Sequence, residues 1–289
     1  MKPPPFEYAA PDTLKEVVSL LQQHAGEAKI LAGGQSLIPL LNMRFARPAA
    51  LIDLRRVAGL DGIREEEGRL IIGAMTTKRA VERSRLVANR QPLLHAATRW
   101  IAHPQIRNRG TVGGSMAQAD PAAEYPATAV ALDAHFQLVG PNGARSVAAE
   151  DFFVTYLTTA LDENEVLTEV HVPVLAEQTG WSIQEVARRH GDFAIVGGVF
   201  LLGIDSSRRC THARIVHFGV GPTPLRSRDA EQLLLGEAPG EAVFAAAAAK
   251  VDEAIDEPLS DVHASAEYRR HLARVLTRRG LAEAAGRVA

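Results

Sequence analysis

The sequence predicts an α+β chain in two parts. The N-terminal part combines a small α/β unit with a mixed or antiparallel sheet and helices, and the C-terminal part is a small antiparallel sheet with a helical layer. Three observations predict this. A helix, strand, glycine turn and second strand follow one another up to about residue 58. A hairpin pattern at 62–74 then changes the style of the sheet. Strand-like runs after residue 190 give way, from Arg226 onward, to an alanine-rich helical stretch.

Taken in order, Asp12 to His24 places Leu14, Val17, Val18, Leu20 and Leu21 on one helical face, with Thr13 and Glu16 spaced as a capping box. Lys29-Ile30-Leu31 reads as a short buried strand entering Ala32-Gly33-Gly34-Gln35-Ser36, followed by the apolar turn Leu37 to Leu41 and a strand from Ala50 to Leu54. Gly62 to Glu65 and Leu70 to Ala74 pair across Glu66-Glu67-Gly68. Helices are expected at Lys78 to Ser84, Pro92 to Ile101 and Ala122 to Leu132. Ala134 to Val139 and Arg145 to Val147 flank a turn, and Glu165 to Val172 is a strand. Pro173 to Gly180 has linker composition, dividing the chain into 1–175 (with subdivisions of about 1–58 and 59–175) and 178–289. Phe193 to Ile204 and Thr211 to Val220 read as strands, and Ala230 to Leu235, Glu241 to Ile255 and Ala264 to Ala285 as helices.

Composition narrows the function. The 289 residues are 46% hydrophobic and 23% charged, an ordinary globular balance. A net charge of −2 offers no field to hold a phosphate polymer, so nucleic acid is not an expected partner. The one cysteine, Cys210, permits neither an internal disulfide nor a four-cysteine iron-sulfur cluster. Met1 to Tyr8 has no apolar signal region, and no run of 18 apolar residues follows, so no membrane span and a cytoplasmic location are expected.

Two glycine segments carry the chemistry. Phosphate groups need several backbone N–H donors at close range, and paired glycines permit the approach. Ala32-Gly33-Gly34-Gln35-Ser36 lies between a strand and a helical turn, and Thr111-Val112-Gly113-Gly114-Ser115 follows a polar, basic run. A single Gly-Gly pair reads first as a tight turn; two pairs, each with a hydroxyl residue close behind, are harder to read that way. Neither segment has the lysine of a P-loop, and Gly33-Gly34 lacks the third glycine of a Rossmann fingerprint. Two convergent loops suit the diphosphate of a dinucleotide, held from both sides. Ser36 and Ser115 stand in no G-x-S-x-G elbow, so their hydroxyls fit phosphate better than nucleophilic catalysis. The ten histidines show no metal-ligand spacing, and no metal site is expected.

Together, Ala32-Gly33-Gly34-Gln35-Ser36-Leu37, Ile106-Arg107-Asn108-Arg109-Gly110-Thr111-Val112-Gly113-Gly114-Ser115, Ala119-Asp120-Pro121-Ala122-Ala123-Glu124 and Arg188-Arg189-His190-Gly191-Asp192-Phe193-Ala194 resemble the FAD-binding medium subunits of molybdenum hydroxylases. The resemblance is to the aerobic carbon monoxide dehydrogenase and quinoline 2-oxidoreductase types, with the xanthine dehydrogenase flavin domain a more distant relative. It spans essentially the whole chain.

The resemblance implies that Lys29, Ile30, Leu31, Ala32, Gly33, Gly34, Gln35, Ser36 and Leu37 line the FAD diphosphate and adjoining sugar, with Thr111, Val112, Gly113, Gly114 and Ser115 opposite. It also implies cofactor contacts for Ile101 and Ile106, polar contacts near the ribityl and phosphate region for Asp120 and Glu124, an apolar contact for Leu167, and Asp192 beside Phe193, which covers a face of the isoalloxazine. Asp120 and Glu124 also read as acids favouring a helix N-terminus. Arg107, Arg109, Arg188 and Arg189 read as surface charges or as subunit and flavin contacts, and His103 as structural or adenine-side rather than as a base. Two positions depart from the family pattern. Phe193 replaces the usual tyrosine, and Glu185 stands where several members carry a lysine; a carboxylate there would disfavour negative charge on the flavin.

The implied function is an electron outlet: an oxidoreductase subunit, without catalytic residues for substrate hydroxylation, that passes electrons through FAD to an external acceptor. A large subunit would carry a molybdopterin-type molybdenum cofactor, and a small subunit two 2Fe-2S clusters, in a dimer of heterotrimers. Two other readings are a free-standing flavin oxidoreductase with its own substrate pocket and a cofactor-free scaffold subunit.

Overall fold

The computed structural model describes residues 2–288. Its first unit runs β1 (Glu7–Ala9), α1 (Leu14–His24), β2 (Ala28–Leu31), α2 (Leu37–Asn42) and β3 (Ala50–Asp53). The three strands form a parallel sheet in the order β1-β3-β2. The predicted capping box is present: Thr13 Oγ1 accepts from the Glu16 N–H, and the Glu16 carboxylate accepts from the Thr13 N–H. Val17, Val18 and Leu21 turn inward from α1 onto Ala28, Ala50, Ile52 and Leu54, each large side chain contributing about 1.5–3 kcal/mol by burial. Strand β1 has no signature in the sequence because Glu7 and Tyr8 stay exposed and only its backbone joins the sheet.

The second unit opens with the hairpin β4 (Ile63–Glu66) and β5 (Arg69–Gly73). Its two-residue turn holds Glu67 at φ 49° and Gly68 at φ 73°, the positive φ pair that matches strand twist. Six helices follow: α3 (Lys78–Arg83), α4 (Arg85–Arg90), α5 (Pro92–Trp100), α6 (Pro104–Arg107), α7 (Val112–Gln118) and α8 (Glu124–Ala131). Then come β6 (His135–Gly140), β7 (Gly143–Ala148), α9 (Ala149–Phe152), the small hairpin β8 (Phe153–Thr155) and β9 (Thr158–Thr159), and β10 (Val166–Pro173). The sheet order is β4-β5-β10-β6-β7, antiparallel throughout. Every residue of α8 is buried, the mark of a helix covered on all sides.

The C-terminal unit contains β11 (Thr179–Ala187), β12 (Ala194–Ile204), β13 (Cys210–Phe218) and β14 (Leu225–Arg226), followed by α10 (Arg228–Leu234), α11 (Glu241–Ala254) and α12 (Ala266–Gly286). Its antiparallel order is β11-β12-β13-β14. One face packs on the helices through Phe200, Leu202, Ile215, Leu272 and Leu276. The other face sends Ile183, Val199, Leu201, Val216 and Phe218 into the same core as Leu70, Tyr125 and Phe136. Ion pairs rim this seam: Arg214–Asp133 at 2.7 Å, Arg226–Glu150 at 3.3 Å and Arg228–Glu150 at 2.5 Å.

Strand β11 begins inside the stretch expected to be a linker, and the segment before it is tied down, Val174 N donating to Gly68 O and Leu175 N to Arg90 O. The strand escapes the period-2 reading because polar residues, buried Ser182 and half-buried Gln184, occupy its helix-facing side, where both donate to the Glu283 carboxylate. Among the described residues no helix is long and apolar enough to cross a membrane.

Candidate functional site

The two glycine segments lie against one another. A Cβ on Gly33 would sit 2.2 Å from the carbonyl oxygen of Arg109 and 2.8 Å from Gly110 Cα, and one on Gly114 would sit 3.6 Å from Ala32 Cβ. Close backbone contact thus requires glycine at 33. Lys29, Ile30 and Leu31 deliver the first segment from β2, with Leu31 buried and Lys29 exposed. At its far end Leu37 opens α2, whose Ile38 N–H donates back to Gly34 O. Gln35 folds its amide onto Gly33 O at 3.1 Å.

The donor balance of the two segments differs. Among the described residues, the backbone N–H groups of Gly33, Gly34, Gln35 and Ser36 have no acceptor within the chain. These half-exposed donors, just ahead of a helical turn, suit an anionic ligand. In the second segment, by contrast, Val112 N donates to Thr76 O, Gly113 N to Ala74 O, Gly114 N to Thr111 Oγ1 and Ser115 N to Thr111 O. That segment is the first turn of α7, capped by Thr111, and a Cβ on Gly113 would fall 2.5 Å from Ala74 Cβ. Its glycines let a helix end press onto β5; what it leaves without a partner among the described residues are the Thr111 N–H and the Ser115 hydroxyl.

Beyond α7 lies a buried charge cluster. Asp120 Oδ1 accepts from the Ala122 N–H at 2.9 Å, and burial raises the Asp120 pKa despite that bond. Glu124 is 8% exposed, and burial lifts its pKa to about 7 against the opposing pull of its own backbone N–H and of Lys78. Lys78, also 8% exposed, is the neighbouring countercharge, and burial pulls its pKa down. Its Nζ sits 5.8 Å from the centre of the Tyr125 ring, whose hydroxyl shares a 2.8 Å hydrogen bond with Thr98. The sequence reading missed Lys78. Its one signal is local conflict: a lysine opens α3, where the helix dipole disfavours positive charge, so a tertiary partner has to hold it there.

The remaining candidates divide. Ile101 and Leu167 are buried in the main core, so their side chains chiefly hold the walls, while Ile106 is half-buried. Arg107 is not a surface charge: it is buried, donates to Ile101 O and Ala102 O, and pairs with Glu82. Burial would raise the Glu82 pKa, but Arg79 and Arg107 hold it below the usual range. Arg109, Arg188 and Arg189 are exposed, and Arg188 lies 3.3 Å from the His263 ring. The turn between β11 and β12 docks on the end of α5, with His190 edge-on to Trp100 at 6.4 Å and Gly191 against the His103 ring. His103 is therefore a packing residue for that turn. Asp192 is half-buried, and beside it Phe193 leaves 71% of its surface uncovered, unusual for a large aromatic at a domain seam.

With no lysine in either glycine segment and no third glycine after Gly34, the fold and site define a two-part cofactor-cradling chain distinct from P-loop and Rossmann proteins. The chain belongs to the FAD-binding family of molybdopterin dehydrogenases: residues 4–175 match the model described as "FAD binding domain in molybdopterin dehydrogenase", and residues 181–284 match "CO dehydrogenase flavoprotein C-terminal domain". The carbon monoxide dehydrogenase medium chain of Hydrogenophaga pseudoflava is 44% identical over 290 residues, covering 100% of both chains. A solved structure of carbon monoxide dehydrogenase from that organism, lacking the Mo-pyranopterin moiety of its molybdenum cofactor, matches with a TM-score of 0.97 at 44% identity over 100% of both chains. Quinoline 2-oxidoreductase from Pseudomonas putida 86 matches with a TM-score of 0.94 at 39% identity over 99% of each chain.

Proposed function

We propose that this chain binds one FAD and is the electron-transfer subunit of a multi-subunit molybdenum hydroxylase. The observation that carries the reading is the set of unpaired N–H donors at Gly33, Gly34, Gln35 and Ser36, set against a second glycine segment at contact distance. Unpaired donors beside a helical turn fit the FAD diphosphate. Lys29 through Leu37 form the diphosphate wall, and Thr111 through Ser115 with Ile106 form the wall opposite, contributing shape and the Ser115 hydroxyl more than backbone donors. Asp120 and Glu124, their pKa values raised by burial, reach the ribityl hydroxyls as partly protonated groups able to donate as well as accept. Ile101 and Leu167 keep the floor apolar, and Phe193, next to Asp192, supplies a free aromatic face for the ring system.

Bound FAD supplies both one-electron and two-electron exchange, which suits a junction between iron-sulfur clusters and an external acceptor. The chain's own part is to hold that group in a fixed place and to exclude water with the shared core behind it. The two structural parts serve as domains 1–175 and 178–289. The partners are a large subunit with the molybdenum cofactor and a small subunit with two 2Fe-2S clusters, in a doubled heterotrimer in the cytoplasm. The relatives in hand act on a gas and on a heteroaromatic ring while sharing this fold at TM-scores of 0.97 and 0.94, so the substrate is selected by another subunit.

Acid release from the purified complex tests this. One FAD per copy of this chain and a flavin absorption band are expected; a complex with neither overturns the reading.

A further inference from the structure

A cleft of about 390 Å³ opens at the seam between the N-terminal and C-terminal units, and it shares no residue with the glycine segments or the buried charge cluster. Three elements run from one site to the other. Strand β11 starts at the cleft with Thr179 and ends at Ala187, about 25 Å away, beside the turn docked on Trp100 and His103. Helix α5 is capped by Gln91 at the cleft and ends at Trp100, while α8 begins at Glu124 and ends at the cleft with Ala131 and Leu132. The cleft and the cofactor site thus occupy opposite ends of one set of elements.

The cleft exists because of one residue without a side chain. Phe200, Leu202 and Ile204 of β12 face the helical layer, so the pleat turns Val199, Leu201 and Gly203 to the seam. Leu201 fills that seam, and two residues on Gly203 cannot. Gly203 lies between Thr179 of β11 and His212 of β13, which leaves an open floor across three strands. The volume falls in the range of small-molecule sites, about 300–1,000 Å³, and a domain seam is where such sites form.

The polar groups around the cleft are acceptors. Gln91 is 1% exposed; its Nε2 donates to Pro173 O at 2.7 Å, and its Oε1 is buried with no partner. At the end of α8, the carbonyls of Ala131 and Leu132 accept no hydrogen bond among the described residues, and the helix dipole is negative there. Asp133, Glu177 and Asp205 line the cleft, and neither lysine nor arginine does. Arg214 balances Asp133 at 2.7 Å from behind, but the Asp205 carboxylate accepts only the Arg209 backbone N–H. Burial, and then Arg214, lowers the His212 pKa, so the ring adds no positive charge at neutral pH. The cleft therefore calls for N–H donors and positive charge on an apolar body that fits beside Leu132, Leu175 and Leu201.

We propose that this seam cleft binds a small organic cation, an apolar body carrying an ammonium or amidinium group whose N–H donors meet Gln91, the carbonyl end of α8 and the acidic rim. A ligand held by both units raises the unfolding midpoint, because the separated units no longer bind it.

The test is titration of the purified complex with benzylamine by calorimetry, with benzyl alcohol and benzoate as its neutral and anionic counterparts. Benzylamine should bind saturably at one site per copy of this chain, benzyl alcohol about tenfold more weakly or worse, and benzoate not at all. Gly203→Leu and Thr179→Phe fill the floor from two strands; each should keep its FAD content and weaken benzylamine binding by about tenfold or more. Thr179→Phe guards against misfolding, since Thr179 is half-buried and an aromatic residue suits a strand, whereas a Cβ on Gly203 would lie 3.0 Å from the Thr211 hydroxyl. Gln91→Met removes the buried acceptor and should weaken benzylamine more than benzyl alcohol. No saturable benzylamine binding overturns the proposal, as does benzoate binding as tightly as benzylamine. Undiminished benzylamine binding in Thr179→Phe, or in Gln91→Met, places the cation elsewhere and overturns it too.

Discussion

Adding a single methyl group at Gly33 should separate cofactor binding from folding. The alanine Cβ would lie 2.2 Å from the Arg109 carbonyl oxygen and 2.8 Å from Gly110 Cα, both backbone atoms. Restoring ordinary contact requires the two segments to part by about 1 Å. Gly33 itself has no left-handed φ to forfeit, so the cost is steric, about 1–3 kcal/mol of strain, which a chain with this much core tolerates. The donors at Gly33 to Ser36 move with the shift, and a hydrogen bond to an anion weakens steeply as it lengthens. Losing one such charged bond costs about 1.5–3 kcal/mol, or about 10- to 100-fold in affinity. The assay is the FAD-to-protein ratio after gel filtration together with the FAD dissociation constant of the depleted complex. Gly221→Ala, where nothing lies within 4 Å, is the control expected to leave both unchanged. Gly33→Ala with wild-type FAD affinity would refute the reasoning, because the donors would then not belong to the cofactor.

Gly280 of α12 faces Phe200 so closely that a Cβ would fall 2.1 Å from the ring; Gly280→Ala should destabilise by about 1–3 kcal/mol, and adding Phe200→Leu should recover part of the loss in urea unfolding. His217 is fully buried with its Nε2 3.1 Å from the Thr277 hydroxyl, and burial lowers its pKa from 6.5 to about 4. The unfolded chain therefore binds the extra proton between those values, so stability contributed by neutral His217 is complete above 6.5 and falls, by about 3 kcal/mol in all, as pH drops toward 4. His217→Gln should flatten the dependence of the urea midpoint on pH across that window. Thr13→Ala removes the α1 capping box and should cost about 1 kcal/mol, seen as a small fall in Tm.

What the sequence makes legible is whatever local chemistry decides. Thr13 and Glu16 announce α1, and Glu67-Gly68 announces a hairpin, because capping and turn residues act within a few positions. The hidden elements are those a distant partner decides. Strand β11 reads wrongly because Glu283, far along the chain, satisfies Ser182 and Gln184 on its buried side. Helix α7 is concealed by Gly113-Gly114 in its first turn, residues that weaken a helix alone but are required where Gly113 meets Ala74. At the site, the glycine segments and the acids Asp120 and Glu124 are visible in the sequence, whereas Lys78 and the protonation of Glu185 are set by burial, which no local pattern carries.

The expectation of two equivalent loops gripping a diphosphate from both sides becomes, in three dimensions, an asymmetric arrangement. One segment keeps its donors free, and the other uses them to close α7 onto β5. Substitutions in the two should therefore differ in kind. Gly113→Ala drives a side chain into Ala74 at 2.5 Å and disturbs the packing of a buried helix end, so stability should fall first and FAD content with it. Gly33→Ala leaves the core intact and acts on the free donors, so FAD content should fall out of proportion to the loss of stability, which its strain limits to about 1–3 kcal/mol. If both variants lost stability and FAD together in the same proportion, the division of labour between a binding loop and a supporting helix end would be wrong, and the two segments would have to act as one structural unit.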